Sequence, residues 1–209
     1  MSRKKLRLGI FGGTFDPPHV GHLILASEAY AQLSLDIVLW VLTHYPPHKT
    51  EKPITPLSDR LDMLQAALNN DSAFTLSRID IDRPPPHYAV DTLQLLREQY
   101  PSAQLIYLMG GDSLVELSIW HKPREFILAC DELGVMRRPG WKVDLELLER
   151  KLPGLTERVR FIDAPLLDIS SSMLRRKVAE AGPFRYYVPP RVYDIIQKRM
   201  IYSHSIDSQ

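Results

Sequence analysis

Cysteine is almost absent: Cys130 stands alone in 209 residues. An internal disulfide framework is therefore excluded, a cysteine-based zinc site has no partner thiol at the right spacing, and a lone thiol fits a reducing cytoplasm. No apolar stretch approaches the roughly 20 residues of a membrane span. The basic residues Arg3, Lys4 and Lys5 do precede an apolar run, but it stops at two glycines and is too short for a secretory signal. Surplus charge is missing as well. A formal net charge of +1 and the lack of a basic stripe argue against nucleic acid or an anionic membrane as partner, so any anion site must be local. There is no internal repeat, no low-complexity tract, no Walker lysine motif and no Gly-x-Ser-x-Gly elbow, and Cys130 has no adjacent base to activate it. What remains is an ordinary globular composition, 44% apolar and 24% charged, at a length suited to one domain. We expect a core over 6–164, a C-terminal segment over 165–202 and a polar, disordered tail over 203–209.

The most informative stretch is Gly12 to His22, Gly-Gly-Thr-Phe-Asp-Pro-Pro-His-Val-Gly-His. The apolar run Leu6–Phe11 before it predicts a buried first strand, and Val20, Leu23, Ile24, Ser27 and Ala31 after it fall on one face of a helix. Gly12 and Gly13 lack a Cβ, which permits positive φ and close approach of a nucleotide. Pro17 and Pro18 are tolerated in a first helical turn. His19 and His22, three apart, project from one face near a helix N-terminus, where free N–H groups and the helix dipole already favour an anion. Gly21 between them leaves the ligand room. A polyphosphate suits this arrangement; a metal does not, since no Glu accompanies His19.

The remaining chain alternates strands and helices. A second continuous apolar strand, Asp36–Leu42 with Trp40 in the core, completes a βαβ unit and predicts an α/β, doubly wound parallel sheet. Tyr45-Pro46-Pro47-His48-Lys49 is a stiffened loop, either solvated or holding His48 and Lys49 over the first crevice. Leu57, Leu61, Leu64 and Leu68 predict a helix over 56–69, with Arg60 on its solvated surface in preference to reaching back to the preceding loop, and Phe74–Asp80 a more exposed strand. Arg83-Pro84-Pro85-Pro86 is a fixed loop, because prolines cannot occupy a sheet interior. It leads into a helix ending near Tyr100, with Asp91 in its first turn. A fourth strand, Leu105–Met109, runs into Gly110-Gly111-Asp112-Ser113, where Asp112 is an N-cap, a ribose ligand, or both. Trp120, among polar residues, is a structural core ring or a flat apolar face for a ligand ring. Further strands are predicted at 133–136 and 160–164, with a charged helix at 144–152. The Ser170-Ser171-Ser172 cluster opens a helix to Ala181 and offers hydroxyls to a phosphate or caps to the helix, with Arg175 able to close over phosphate oxygens. A last helix carries Val192, Ile195, Ile196 and Met200 on one face.

Gly-Gly-Thr-Phe-Asp-Pro-Pro-His-Val-Gly-His resembles the signature of the His-x-Gly-His nucleotidyltransferase superfamily. Ile169-Ser170-Ser171-Ser172-Met173-Leu174-Arg175 is similar to its second signature, with Ser172 where Thr is usual. Within that superfamily the chain resembles bacterial nicotinate mononucleotide adenylyltransferases from about Arg7 to Tyr202. The Pro-Pro-His-Lys, Tyr88-to-Thr92, Gly-x-Asp-Ser and Trp120 segments all match in order; Ala89 departs from the usual Thr. The resemblance implies a Rossmann-like nucleotidyltransferase fold with a small C-terminal helical segment. It implies His19, His22, Lys49 and Arg175 as catalytic residues, and ATP bound by Gly12, Gly13, Thr14, Phe15, Gly21, Gly111, Asp112, Ile169, Ser170 and Ser171. The acceptor would meet His48, Tyr88, Ala89, Thr92, Trp120 and His121, with Mg2+ arriving on ATP and no metal site in the protein.

The partners implied are ATP and nicotinate mononucleotide, in the cytoplasm; nothing in the sequence opposes a homo-oligomer. With no activated nucleophile, catalysis rests on positioning and charge stabilisation. The acceptor phosphate would attack the α-phosphorus of ATP, giving nicotinate adenine dinucleotide and pyrophosphate for NAD biosynthesis. Backbone N–H groups near Ala89 and His121 would select nicotinate over nicotinamide. The same chemistry on nicotinamide mononucleotide, or a nucleotide-sensing module without turnover, are the alternatives.

Overall fold

The structure, a computed structural model, describes residues 5–45, 54–69, 71–137, 143–165 and 167–203. Its strands are β1 (Arg7–Gly13), β2 (Ile37–Leu42), β3 (Phe74–Ser77), β4 (Gln104–Gly110), β5 (Glu132–Met136) and β6 (Val159–Ile162). They form one sheet in the order β3-β2-β1-β4-β5-β6, with every pairing parallel. The order reverses between β1 and β4, so a crevice opens at the carboxyl ends of these two strands.

Strand side chains alternate between two apolar layers, as a sheet covered on both faces requires. Leu8, Ile10, Leu105 and Tyr107 pack with α3 (Ala89–Gln99) and α5 (Pro123–Ala129). Phe11, Val38, Trp40, Ile106 and Leu108 face the other way, onto α1 (Val20–Gln32) and α2 (Leu57–Leu68). Trp40 is fully buried, as its place in an apolar run predicts. Between these stand the short α4 (Gly111–Glu116), α6 (Leu145–Lys151) and α7 (Leu155–Arg158). The C-terminal helices α8 (Ser171–Ala179) and α9 (Pro190–Arg199) make a third cluster, in which Leu174, Val192 and Ile196 meet Met63 and Ala67 of α2.

Several local expectations give way to tertiary context. β1 does not stop before the glycines but runs through Gly13, and neither glycine has positive φ. The left-handed residue is Phe15, at φ 46°. Pro17 and Pro18 lie ahead of the helix rather than in its first turn, because His19 is the N-cap of α1. That helix buries Leu25, Ala26 and Ala29 and exposes Ser27 and Ala31: with small residues on several sides, its periodicity is too weak to fix its phase. β3 ends at Ser77, where Arg78 and Ile81 close a turn instead. Met200 caps α9 in the left-handed region and is exposed, while Ile201 and Tyr202 behind it are buried. Residues 204–209 lie outside the described residues.

Arg60 is the largest correction. It is 1% exposed, not solvated. Its Nε donates to the Thr55 carbonyl at 2.9 Å, Nη1 to those of Thr14 and Thr43 at 3.2 and 2.8 Å, and Nη2 to that of His44 at 3.0 Å. One guanidinium thus satisfies backbone acceptors from three loops, a task suited to its rigid fork of donors. Burial pulls its pKa below the usual range, opposed by the nearby Asp16 carboxylate. Replacing Arg60 with Leu strands several buried carbonyls, and each unsatisfied acceptor costs about 1–3 kcal/mol. The expected loss is at least about 3 kcal/mol in urea denaturation; a change below about 1 kcal/mol would show that the bracket is dispensable.

Candidate active site

A cleft of about 1420 Å³ lies at the switch point, lined from β1, α1, α3, β4 and α8 and the loops between them. Single small-ligand pockets usually measure about 300–1,000 Å³, so this one has room for two nucleotides.

The first wall is the loop from Gly12 to His22. Phe15 is buried against Phe11, Trp40 and His22, with ring centroids 5.4, 5.1 and 5.2 Å away. It anchors the turn on the core. The His19 and His22 rings stack at 3.6 Å and 23°, and both line the cleft although His19 is 5% exposed. The His19 N–H donates to Nδ1 of His22 at 3.2 Å. In the neutral ring that bond assigns the proton to Nε2, so Nε2 is the donor His22 can turn to a phosphate oxygen. Gly21 serves its neighbour more than the ligand: a Cβ there would sit 3.1 and 3.2 Å from Nδ1 and Cε1 of His19. Gly12 gives room to Tyr107, whose hydroxyl would be 2.9 Å from a Cβ.

The second wall comes from the start of α8. Ser170 is its N-cap, accepting from the Met173 N–H at 3.2 Å. The neighbouring side chains reach back across the chain. Ser171 Oγ donates to the Pro17 carbonyl at 2.9 Å, and Arg175 Nη1 to the Asp16 carbonyl at 2.8 Å, while Nη2 meets Ser172 Oγ at 3.2 Å. Asp16 is buried. Its Oδ1 accepts from the Tyr202 hydroxyl at 2.6 Å and its Oδ2 from the Thr55 N–H at 3.2 Å. The two stretches that resemble signature motifs are therefore hydrogen-bonded to one another, and Ile169, Ser170, Ser171 and Arg175 line the same cleft as both histidines.

The third wall carries the aromatic side chains. Tyr88 is the N-cap of α3 and Ala89 its first residue, so the Ala89 N–H has no intrahelical acceptor. The Tyr88 and His121 rings stack at 3.9 Å and 19°. Trp120 is half-buried, held edge-on by Phe126 at 5.2 Å and Tyr107 at 6.2 Å. Asp112 lies in the first turn of α4 and lines the cleft. The N-cap is Gly110, not Asp112. Gly111 is buried and absent from the lining; Gly110 borders the cleft in its place. Thr14, Phe15 and Thr92 all line it. His48 and Lys49 lie outside the described residues, as does Arg138.

Sequence reading missed several lining residues, among them Asp80, His87 and Tyr107. His87 is buried, accepts the Tyr45 N–H at Nδ1 (3.2 Å) and donates from Nε2 to the Arg83 carbonyl (3.2 Å). Its place between three prolines and a tyrosine was the available signal. Beside it, burial lowers the His44 pKa, with further depression from Arg60 and His87. Among the described residues, no group of three His, Cys, Asp or Glu side chains could hold a metal ion. No helix there is long and apolar enough to cross a membrane.

The cytidylyltransferase-like family matches residues 10–177, both histidines and Arg175 included. The chain belongs to that family. Among curated family members, a probable nicotinate-nucleotide adenylyltransferase of Thermomicrobium roseum is 46% identical over 94% of this chain and 91% of its own. One of the same name from Exiguobacterium sibiricum is 36% identical over 95% and 100%. The fold is shared with Plasmodium falciparum nicotinic acid mononucleotide adenylyltransferase complexed with NaAD (TM-score 0.80, 20% identity, 97% of this chain and 100% of that one). It is shared equally with that protein complexed with APC, at TM-score 0.77 and 21% identity over the same shares. This cytidylyltransferase-like chain is a nucleotidyltransferase with a Rossmann-like sheet.

Two outcomes follow from this geometry. Gly21→Ala pushes a methyl into the His19 ring and should lower kcat about tenfold while the melting temperature holds within a few degrees, since sub-ångström misplacement acts on chemistry more than on folding; unchanged turnover would refute the packing argument. Burial pushes the Cys130 thiol up to about 12, so at pH 8 it is protonated and should ignore a thiolate-specific reagent until the protein unfolds. Rapid labelling of the native chain would contradict this.

Proposed function

We propose that the chain transfers an adenylyl group from ATP to nicotinate mononucleotide, forming nicotinate adenine dinucleotide and pyrophosphate. The carrying observation is the His19–His22 stack and the start of α8, tied together through Asp16 and Pro17 on one cleft. Two helix starts rich in N–H donors, with two imidazoles and one guanidinium, suit a polyphosphate lying across the switch point. The relatives' names support the acceptor.

An oxygen of the mononucleotide phosphate attacks the α-phosphorus of ATP in line. The new P–O bond forms as the bond to the β-phosphoryl group breaks, and pyrophosphate leaves with that electron pair. ATP brings the divalent cation, Mg2+ in our reading, as part of the substrate. His22, donating from Nε2, and His19 stabilise charge developing on the transferred phosphoryl group. Lys49, Ser171 and Arg175 hold the outer phosphates, Asp112 the ribose. Trp120 offers its face to the pyridinium ring, Tyr88 and His121 border it, and the Ala89 N–H meets the ring carboxylate. With backbone N–H groups near both Ala89 and His121 facing the ring, a carboxylate has an oxygen for each, whereas an amide has one carbonyl and turns its NH2 towards the other donor, which gives strong discrimination. The lone buried Cys130 suits the reducing cytoplasm in which we place this reaction.

Pyrophosphate release from ATP and nicotinate mononucleotide tests the reading; equal kcat/KM with nicotinamide mononucleotide would overturn the acceptor assignment. Removing one donor to a transition-state oxyanion costs about 100- to 1000-fold in kcat. His22→Ala should show a loss of that size with a melting temperature within a few degrees of the parent, and near-normal turnover would remove His22 from the mechanism.

A further inference from the structure

We propose that Arg83 is a positioning residue that sets which pyridine ring the cleft accepts. It does so by neutralising the buried Asp80 carboxylate in the cleft wall and by fastening the turn that presents Tyr88 and Ala89. This rests on the reading that the acceptor is a pyridine mononucleotide bound at that wall.

The Asp80 side chain is 4% exposed, and Asp80 lines the cleft alongside Ala89 and Thr92. A buried carboxylate is tolerated only when paired and hydrogen-bonded. Here Oδ1 accepts from Arg83 Nε at 3.1 Å, from Arg83 Nη2 at 3.0 Å and from Thr92 Oγ1 at 2.7 Å. Arg83 itself is not part of the lining; it stands behind the wall. From there Nη1 donates to the Pro86 carbonyl at 2.9 Å and Nη2 to the Tyr88 carbonyl at 3.3 Å. The Arg83 carbonyl in turn accepts from His87 Nε2 at 3.2 Å. The other acid near the guanidinium is Asp91, 3.9 Å from Nη1 and more exposed. One side chain therefore fixes both the charge of the wall and the backbone of the turn from 83 to 88.

The sign of the effect follows from the two rings. Nicotinate carries a carboxylate, nicotinamide an uncharged amide with N–H donors. Paired with Arg83, Asp80 presents little net charge, and the Ala89 N–H is left to meet an anion. Without Arg83, the Asp80 carboxylate repels a second carboxylate and welcomes an amide donor. Loss of Arg83 and loss of the Asp80 charge should thus move selectivity in opposite directions, whereas a purely structural role would move both the same way.

The test is steady-state pyrophosphate release by the full chain and its Arg83→Gln and Asp80→Asn variants, with each pyridine mononucleotide as acceptor. Arg83→Gln should lower kcat/KM for nicotinate mononucleotide at least about tenfold, chiefly through KM, and shrink the nicotinate-to-nicotinamide ratio about tenfold, with KM for ATP within about twofold. Asp80→Asn, which still accepts from Thr92 and Arg83 but leaves the guanidinium charge unopposed, should raise that ratio. A ratio unchanged in Arg83→Gln, or unchanged or lowered in Asp80→Asn, overturns the proposal. Should Arg83→Gln fail to fold, Asp80→Asn decides alone by the same ratio. Activity of the parent with neither mononucleotide would instead refute the acceptor reading, and this inference with it.

Discussion

The carbonyl oxygens of Thr14, Asp16 and Pro17 must find partners where the chain turns away from the sheet, and the rest of the molecule is built around supplying them. A buried carbonyl without a donor is costly. Arg60 reaches the first from α2, Arg175 the second and Ser171 the third from α8. The Asp16 carboxylate is held in turn by Tyr202 and by the Thr55 backbone. A loop that brings two imidazoles to the cleft is thereby fixed from outside, by residues the sequence places far away. Burial raises the Tyr202 pKa, and the Asp16 carboxylate adds to that shift. The phenol therefore stays protonated, and a donor, through the neutral range.

This arrangement reconciles a chain of almost balanced charge with a polyanionic substrate. Cationic and N–H donors converge at one end of the sheet, while ion pairs elsewhere, such as Arg199 with Asp59 and Asp62 joining α9 to α2, cancel locally. The parallel order brings the ends of β1 and β4 together at the reversal, so segments about 100 residues apart share one crevice without long connecting loops. α8 then closes that crevice from the C-terminal side.

The parts of this design that were legible in the sequence are those whose signal is local. Continuous apolar strands, the glycine-to-histidine run, the serine cluster before a helix and a tryptophan among polar neighbours each carry their meaning within a dozen residues. Arg60 was legible only in part: its reach back to the preceding loop was one of two readings, but its burial depends on the carbonyls of Thr14, Thr43 and His44, which lie far from it in sequence. The phase of α1 was lost for a related reason: alanines are buried or exposed at little cost, and the sheet decides. Asp80 was hidden inside what reads as an alternating strand, and it joins the cleft wall only because β3 ends early and the chain turns. Gly110 borders the cleft as the last residue of β4, whereas Gly111 is already buried as the first residue of α4.

The bond between Tyr202 and Asp16 links residues 186 positions apart. A ribosome makes the loop that bears His19 long before the tyrosine that secures its neighbour. While the intervening residues are made, Asp16 must therefore exist without this partner. The cleft is completed only once that tyrosine has been made, and a chain cut short before it would retain both motifs yet leave the Asp16 carboxylate without this partner.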